Sequence, residues 1–437
     1  MSSTGEQQSG YFPRWRLKES GVIMPDERLP WGQTIIAALQ HGIAMSGATI
    51  VAPLLMGFDP NLALLFSGVG TLIFFVLVAG RVPSYLGSSF AFIAVVIAAT
   101  GYSGQGPNPN IGVALGGIVG AGVLYGIISI IVMWVGVGWV ERLMPPVVTG
   151  AVVAAIGLNL APVAVKAVSA SSFDTWVGLL TVLIIGLTAV AAPGLWRRLP
   201  VIVGAVGGYL VYLVLANGFG LGKPIDFTQL AAAPWLAMPK FETPVFKADA
   251  IFLIAPVAII LVAENLGHIK AIGVMTGRSV DGYLGRAFLG DSIATIVSAF
   301  GGGTGVTTYA ENIGVMAATK IYSTVLFAVT ACVSILLGFS PKFGALVLSI
   351  PGPVIGGLSI VLFGLIAAMA GRIWGENKVD FANPRNLITV AVALTAGAGD
   401  LTLKLGAFTI GGIGTATFGA IILYQILGMR DSKEEAA

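Results

Sequence analysis

Residues 307–320 read TTYAENIGVMAATK, a run of small and apolar residues that also contains a glutamate and an asparagine. The first thirteen of them can be laid without a gap over residues 88–100, SSFAFIAVVIAAT, which lie 219 residues earlier in the chain. Five positions are identical, and Ser/Thr, Phe/Tyr and Ile/Met exchanges account for four more. This match indicates an internal duplication, and it decides the fold that we predict.

The composition is that of an integral membrane protein. Of 437 residues, 56% are hydrophobic and only 10% are charged, whereas soluble domains carry roughly 25% charged residues. Apolar stretches long enough to cross a hydrocarbon core of about 30 Å recur from Trp31 to Met429. They are continuous and do not alternate, which excludes a β-barrel. We predict an all-α polytopic membrane protein.

Fourteen transmembrane segments are predicted. They are centred on residues 31–51, 61–79, 88–100, 112–137, 147–166, 176–193, 201–219, 251–268, 284–300, 307–320, 321–339, 352–371, 387–400 and 405–429. The segments 88–100 and 307–320 are conspicuously short. With both termini inside, 17 of the 23 lysines and arginines fall on the inner side, as the positive-inside rule requires. Residues 1–30 lack the apolar core of a signal peptide and are predicted to be a cytoplasmic tail.

A second pair of segments supports the duplication. PPVVTGAVV at 145–153 and PGPVIGGLS at 351–359 share Pro, Val and Gly in register. If seven spans precede the second copy, that copy is inserted upside down, which gives a 7+7 inverted repeat. Inverted repeats with short or glycine-interrupted segments at corresponding positions indicate a secondary transporter whose site lies near the membrane midplane.

The two short segments are predicted to be interrupted helices. Each starts with two hydroxyl residues and an aromatic one, which favour a strand, and GGGTG at 301–305 allows a non-helical backbone just before the second copy. Unwound backbone at membrane depth is tolerated where it lines a cavity. Each strand would leave N–H groups free and lead into a half-helix whose positive dipole end faces the same place.

Two glutamates are the main candidates for chemistry. Glu311 falls where the second half-helix would begin, and a charge at membrane depth usually faces a cavity and marks a pathway. Its alternative role is to cap its own helix, with Asn312 as structural support. Glu264 and His268 lie four residues apart and so share a helix face. They could instead reach the interface beside Lys270, but the deeper Glu264 is predicted to belong to the site, and His268 could tune it or pass a proton.

The remaining polar residues inside spans are predicted to have packing roles, and several classes of site are excluded. His41 and Asp291 are more typical of hydrogen-bonded packing residues than of ligand contacts. One cysteine and two histidines supply too few soft ligands for a metal site, so no metal is predicted. The chain has no phosphate-binding G-x-x-x-x-G-K-S/T motif, which excludes an ATPase.

The run ENIGVMAATK, 311–320, resembles the signature of the nucleobase–ascorbate transporters, also called the nucleobase:cation symporter-2 family. Its matching positions are Glu311, Asn312, Gly314, Thr319 and Lys320. QHGIAMSGATIVAP, PSYLGSSFAF and AENLGH resemble other characteristic runs of the family, and the resemblance extends from about residue 21 to 429. The leading Glu and the following Lys favour the branch of bacterial pyrimidine and uracil permeases.

The resemblance implies a division of the fourteen spans into two domains. A core domain would comprise residues 31–137 and 251–339, and a gate domain residues 138–219 and 340–429. Residues 220–250 would form an extracytoplasmic loop, and residues 430–437 a cytoplasmic tail. The resemblance also implies a homodimer formed through the gate domain in the bacterial inner membrane.

The resemblance also implies the substrate contacts by position. They are Glu264, Glu311, Phe90, the backbone of Ala310 and Tyr309, and Ala48 close by, with His268 beside Glu264. Gly314, Thr319, Asn312, His41 and Asp291 would support the site. One position departs from the pattern, because Phe363 stands where some uracil carriers have a tyrosine.

The expected function is proton-coupled import of uracil or a related pyrimidine, with no cofactor other than the proton gradient. Glu264, His268 and Glu311 are the predicted proton-coupling residues, because protonation and substrate can bias the same conformational equilibrium. The nearest alternative is a purine carrier for xanthine or urate. An anion carrier of related architecture and a passive channel are further alternatives.

Overall fold

The computed structural model describes residues 10–102, 104, 106–194, 196–405 and 408–428. Within these residues the chain is mostly helical, and its strands form three two-stranded sheets. The buried residues make one large apolar core that extends through most of the helices. Many large apolar side chains on the outer helices are exposed, as expected of a surface that faces lipid.

The first half of the chain contains eight helices and three short strands. These are β1 (Arg16–Leu17), β2 (Glu27–Arg28), α1 (Trp31–Met56), α2 (Pro60–Leu77), β3 (Leu86–Ser88), α3 (Ile93–Thr100), α4 (Ile111–Val135), α5 (Gly138–Leu143), α6 (Pro146–Val168), α7 (Ser172–Ala191) and α8 (Pro200–Leu213). A 3₁₀ turn at Phe90–Phe92 leads into α3, and a π-helical turn at Val214–Gly218 follows α8.

The second half repeats the same kinds of element. These are α9 (Thr228–Ala232), α10 (Ala248–Ile254), α11 (Val257–Thr276), α12 (Leu284–Phe300), β4 (Val306–Thr308), α13 (Ala310–Thr319), α14 (Thr324–Gly338), α15 (Pro341–Leu348), α16 (Gly352–Glu376), α17 (Pro384–Ala398), β5 (Leu403–Leu405), β6 (Phe408–Ile410) and α18 (Gly412–Gly428). Short 3₁₀ turns precede α8 and α12.

Not every predicted span is a long helix. Among the described residues, eight helices are long and apolar enough to cross a membrane, or nine if α14 and α15, which meet at 81°, form one bent span. The remaining predicted spans are short or interrupted, so the count of fourteen crossings stays a prediction. The span predicted at 405–429 needs correction at its start, because Leu403–Leu405 and Phe408–Ile410 pair as the strands β5 and β6 and the helix begins only at Gly412.

The two broken spans have the predicted strand and half-helix form. β4 begins 220 residues after β3, close to the offset of the sequence match. The two strands pair with each other in antiparallel register, Leu86 with Thr308 and Ser88 with Val306. Antiparallel pairing is the arrangement that an upside-down second copy produces. The pairing also satisfies backbone groups that lipid could not.

The proline pair of the sequence match begins two equivalent helices. Pro145 stands just before α6 and Pro351 just before α16, with φ of −63° and −64°. Proline at a helix start costs nothing, because its missing N–H would have no partner in the first turn. α6 and α16 then pack along each other more extensively than any other pair of elements.

The helices pack in two groups. In one group, α4 packs on α12 and α10, and α2 packs on α14 and α12. In the other, α6 packs on α16, α17 and α18, and α7 packs on α8 and α16. The helices named here fall within the ranges expected for the core and gate domains, but α15, in the expected gate range, packs on α2, so the division into two domains stays a prediction. Contacts between the groups are fewer, and they include α1 with α8 and α11 with α6.

The segment predicted as an N-terminal tail packs against the first group of helices. The rings of Phe12 and Trp15 stack on Phe75 of α2, with centroids 5.6 and 5.9 Å apart. Ile23 is fully buried, and its N–H donates to the carbonyl of Lys320 at the end of α13. Residues 11–28 of the predicted cytoplasmic tail therefore pack as part of the folded unit.

Candidate functional site

The paired strands β3 and β4 form the centre of the site. The N–H of Ser89 donates to the Gly305 carbonyl (2.9 Å), which extends the pairing by one residue. The hydroxyl of Tyr309 donates to the Ser88 carbonyl (2.9 Å), and the Ser88 hydroxyl donates to the Thr49 carbonyl of α1 (3.1 Å). These bonds hold the two half-helices α3 and α13 at fixed positions relative to each other and to α1.

Tyr309 contributes its ring to this framework. The ring lies flat against Gly87, where a Cβ atom would come within 2.4 Å of it. Because its hydroxyl is bonded to Ser88 and only 3% of the residue is exposed, the side chain supports the strands. The predicted backbone contact of Tyr309 remains open, since the residue directly precedes α13.

The N-terminus of α13 offers hydrogen-bond donors to the interior. No side chain of the N-cap residue Tyr309 accepts from the first turn, so the N–H groups of the first turn lack the partner that a capping residue would provide. The partial positive charge of a helix N-terminus favours acceptor groups such as carbonyls and carboxylates. Ala310 lies in this turn and is half-buried.

Glu311 and Glu264 bring two carboxylates to the same place. Glu311 lies in the first turn of α13 and Glu264 in the middle of α11, and both are half-buried. The helices that carry them, α11 and α13, pack against each other. Neither is in an ion pair within the described residues. Two unpaired carboxylates at membrane depth are costly unless they serve a ligand or a proton.

Phe90 lies on the opposite side, at the start of the first half-helix. It is 8% exposed, and its ring meets that of Phe363 in α16 edge to face, with centroids 5.9 Å apart. This pair joins the two groups of helices. Ala48, the small residue predicted to lie close by, is buried in α1 next to Thr49, which bonds to Ser88.

His268 begins a chain of buried hydrogen bonds. Its Nδ1 lies 2.9 Å from the Thr308 hydroxyl, which in turn donates to the Asn265 side-chain carbonyl. The Asn265 amide donates to Asp291 and to the Tyr125 hydroxyl (2.6 Å). Since Thr308 donates onward, the His268 Nδ1 must donate to it, which leaves Nε2 available. The amide of Asn265 cannot pass a proton, so the chain orients His268 and is not a proton wire.

The other predicted support residues occupy separate positions. His41 Nδ1 bonds to the Asn312 side-chain oxygen (3.2 Å), which ties α1 to α13. The Thr319 hydroxyl donates to the Val315 carbonyl (2.8 Å) at the far end of α13. Asp291 is fully buried in the chain of bonds from His268. All of these residues position half-helix α13 or its neighbours.

Gly314 has a different setting from the other support residues. It lies one turn after Glu311 on the same helix face, and a Cβ there would meet nothing within 4 Å. Gly267, one turn after Glu264, also borders open space. Both glycines lie on the predicted cytoplasmic side of the carboxylates. We call this space the inner opening.

Sequence reasoning missed three members of the site region: Asn265, Thr308 and Tyr125. Asn265 directly follows Glu264, and Thr308 lies inside the quoted run, so both were visible as polar residues in apolar spans. Tyr125 lies in the glycine-rich helix α4, where it is fully buried. Each of the three is hydrogen-bonded to a residue at least 40 positions away in the sequence.

The comparisons with known proteins agree with this architecture. Residues 32–406 match the family model Xan_ur_permease, described as Permease family. The chain belongs to this permease family. It is 60% identical over 423 residues to the protein named putative pyrimidine permease RutG of Escherichia coli K12, with 96% of each chain covered. It is 40% identical to the uracil permease of Bacillus caldolyticus, over 95% of this chain and 96% of that one.

Solved structures show the same fold at low sequence identity. The transmembrane domain of the cyanobacterial bicarbonate transporter BicA superposes with a TM-score of 0.61 at 16% identity, covering 90% of this chain and 97% of that one. SLC26A9 gives a TM-score of 0.62 at 14% identity, over 91% of this chain and 65% of that one. The recognised family and the helical membrane fold are therefore confirmed. The protein is a multi-pass membrane permease and not an enzyme.

Proposed function

We propose that the protein imports uracil or a related pyrimidine nucleobase across the bacterial inner membrane, coupled to protons, with both termini in the cytoplasm. The observation that carries this proposal is that α11, which holds Glu264, packs against α13, whose uncapped first turn holds Glu311. The names of the pyrimidine and uracil permeases that the chain resembles support the same substrate class.

The chemistry of a pyrimidine base fits these groups. Uracil carries two N–H donors and two carbonyl acceptors in one flat ring. The carboxylates of Glu264 and Glu311 can accept from the N–H groups, and the first-turn amides of α13 can donate to a carbonyl. Phe90 can lie against the ring face. A base that lacked one of these groups would leave a buried polar partner unpaired and be rejected.

Proton coupling follows from the same carboxylates. An uncharged nucleobase cannot neutralise the negative charges of the two carboxylates. A proton on Glu264 or Glu311 removes one of these charges and so reduces the repulsion between them. Protonation and substrate would then bias one equilibrium between two arrangements of the core and gate domains. His268, with Nε2 free on the face of Glu264, is the third group of this set. No cofactor other than the proton gradient is required by this scheme.

The test combines uptake with binding. Cells without their own pyrimidine carriers should take up radiolabelled uracil when they express the protein, and dissipating the proton gradient should abolish accumulation. Glu264→Gln and Glu311→Gln should each weaken uracil binding to the purified protein by at least about tenfold, because each loses a charged hydrogen bond. Glu376→Gln is the matched control, since Glu376 is exposed and pairs with Arg372 on the surface.

Two results would overturn the proposal. Unchanged uracil binding in both glutamate variants would remove these residues from the site. Accumulation that persists without a proton gradient would remove the coupling.

A purine substrate is the second candidate. Phe363 stands edge-on to Phe90 without the hydroxyl that a tyrosine would bring, so this part of the site makes no polar demand on the base. Competition of uracil uptake by xanthine and urate distinguishes the two substrate classes.

A further inference from the structure

A separate cavity lies toward the predicted outer side of the helices. It has a volume of about 280 Å³ and begins at Ala94, one turn beyond Phe90 along the first half-helix. α3 and α10 of the core group line one side, and α6 and the connection from α17 to α18 line the other. We call it the outer cavity. It therefore lies between the two groups of helices, on the side of Phe90 away from the inner opening.

The polar side of the outer cavity is built by a fixed carboxylate. The buried amide of Asn159 donates to the Gly397 carbonyl (2.8 Å) and to Oδ1 of Asp400 (3.2 Å). The N–H of Gly412 donates to the same oxygen (3.0 Å). Asp400 has a φ of 48°, a left-handed conformation that is uncommon for residues other than glycine but that aspartate adopts more readily than most. The bonds from Asn159 and Gly412 to Oδ1 fix the side chain in this conformation.

The second oxygen of Asp400 is available to a ligand. Within the described part of the chain, Oδ2 of Asp400 has no bonded partner, although the residue lines the cavity. A carboxylate fixed through one oxygen offers the other as a directed acceptor for an N–H group. The amide of Asn159 is already used, so the acceptor role falls to Asp400.

The opposite side of the outer cavity is mostly apolar, although Asp249 of α10 adds a second carboxylate to it. Ala94 and Ala98 lie four residues apart and so share the face of α3 that lines the cavity, and Leu253 of α10 lies beside them. Alanine side chains leave room for a flat ring against the helix. A carboxylate facing an apolar wall across a cavity suits a planar molecule that carries ring N–H donors.

We propose that the outer cavity is an access subsite, where a nucleobase in transit donates an N–H group to Asp400 and lies against Ala94 and Ala98 before it reaches Glu264 and Glu311. The subsite rests on the proposed function, since it takes the same class of ligand. It adds Asp400 and Asn159 as residues that affect which bases gain access. Its position between the two groups of helices means that it changes shape when they move.

The first experiment measures access from outside. In a Cys332→Ala background, Ala98→Cys is placed on the cavity wall, and Ser172→Cys is placed at the exposed start of α7 on the same predicted side. Whole cells are treated with a membrane-impermeant thiol reagent. Both cysteines should react, and uracil should slow the reaction of Ala98→Cys at least about fivefold without affecting Ser172→Cys.

A second arm separates direct protection from a conformational effect. Glu311→Gln is added to Ala98→Cys, which removes tight binding at the central site. Uracil should still protect Ala98→Cys, at a concentration set by the outer cavity. If protection disappears together with central binding, it came from movement of the helices and the subsite is overturned.

A third arm measures transport. Asp400→Asn keeps an oxygen for Asn159 and Gly412 but loses the charge, so the KM for uracil uptake should rise about tenfold. Uracil binding to the purified protein at the central site should stay unchanged. Asp226→Asn, in the outer loop away from the cavity, is the control and should leave KM unchanged.

The outcomes distinguish this proposal from the proposed function. If no base of the uracil, xanthine and urate panel is taken up, the proposed function fails and the subsite with it. If a base is taken up, that base replaces uracil as the protecting ligand. Equal labelling rates with and without it, or a KM for Asp400→Asn within twofold of the unaltered protein, overturn the subsite alone.

Discussion

The site depends on individual residues, and the sequence reveals the importance of some of them but not of others. Glu264 and Glu311 could be predicted because an ionisable group in an apolar span is costly and so needs a reason. The partner of His268 could not, because Thr308 is 40 residues away and reaches it only through the register of β4. Likewise, Gly87 looks like any other glycine until the pairing of the strands brings Tyr309 against it.

Gly87→Ala should disrupt the centre of the core. The added Cβ would meet the Tyr309 ring at 2.4 Å, and the ring is fixed by its bond to Ser88. Overpacking of this kind costs about 1–3 kcal/mol, so the melting temperature of the purified protein should fall and uracil uptake should decrease. Gly186→Ala, in α7 with open space around it, is the control and should leave both unchanged. An unaltered melting temperature in Gly87→Ala would contradict the close contact.

Thr307 and Thr308, the neighbouring threonines of β4, should respond differently when each is replaced by valine. Both are 1% exposed. Thr308→Val removes the hydroxyl between His268 and Asn265 and leaves buried partners unpaired, at a cost of about 1–3 kcal/mol. Thr307 has no hydrogen-bond partner for its hydroxyl among the described residues, so Thr307→Val should be neutral or stabilising.

Thermal unfolding and uracil uptake of the two valine variants test this contrast. Thr308→Ser should recover both quantities because it restores the hydroxyl. Equal effects of Thr307→Val and Thr308→Val would show that the chain of bonds from His268 has no influence.

At the level of elements, the sequence predicts the broken spans better than their surroundings. Hydroxyl and aromatic residues followed by small apolar ones predicted a strand and a half-helix, and both copies have that form. The pairing of β5 with β6 was missed because the apolar residues of these strands continue the hydrophobic run of α18. Hydropathy alone does not distinguish a strand from a helix over so few residues. The packed N-terminal segment was missed because its composition is polar.

The N-terminal segment should contribute to the stability of the core group. Ile23 is fully buried and bonds through its backbone to Lys320 and Tyr322. Ile23→Ala should lower the unfolding free energy by about 2–4 kcal/mol because it leaves a cavity. Val22→Ala is the matched control, since Val22 is 45% exposed. Thermal unfolding of both variants makes the comparison, and equal melting temperatures would mean that the segment is not anchored through Ile23.

The N-terminal segment, residues 11–28, should also pack less stably against the core group at acid pH. Burial raises the pKa of Glu27, but the bond from the Met24 N–H and the Lys18 ammonium outweigh it, so the pKa lies below its usual range. A lowered folded-state pKa stabilises the folded state above the unfolded pKa, and this contribution is lost as pH falls through the folded value. Proteolysis of residues 11–28 should therefore become faster at acid pH, and in Glu27→Gln it should be fast at neutral pH already.

For the whole molecule, the fold could be predicted from the duplication, but the arrangement of the two groups of helices could not. Which helices pack together depends on contacts between distant spans, such as α6 with α16, and the sequence match relates these two without saying that they touch. The family resemblance supplied the grouping. The position of the outer cavity between the groups also has no signature in the sequence.

Joining the two groups on the predicted cytoplasmic side should stop transport. Lys270 of α11, in the core group, pairs with Glu141 of α5, the short helix that begins the range expected for the gate domain. In a Cys332→Ala background, cysteines at these positions joined by a short bis-maleimide should abolish uracil uptake, because the groups could no longer separate. The same treatment of cysteines at Asp26 and Arg278, which join the N-terminal segment to the core group without touching the gate group, should leave uptake intact. Full uptake after the Lys270–Glu141 crosslink would show that the groups do not move apart there.

The pairing of β3 with β4 has a consequence for how the protein is made. β3 is synthesised about 220 residues before β4, the strand with which it pairs, which at 5–20 residues per second is an interval of about 10–45 s. During that interval its backbone groups lie in or beside the membrane without the bonds that the finished protein provides. The first copy can therefore reach its final structure only after the second has been inserted, so assembly of the core completes late in translation.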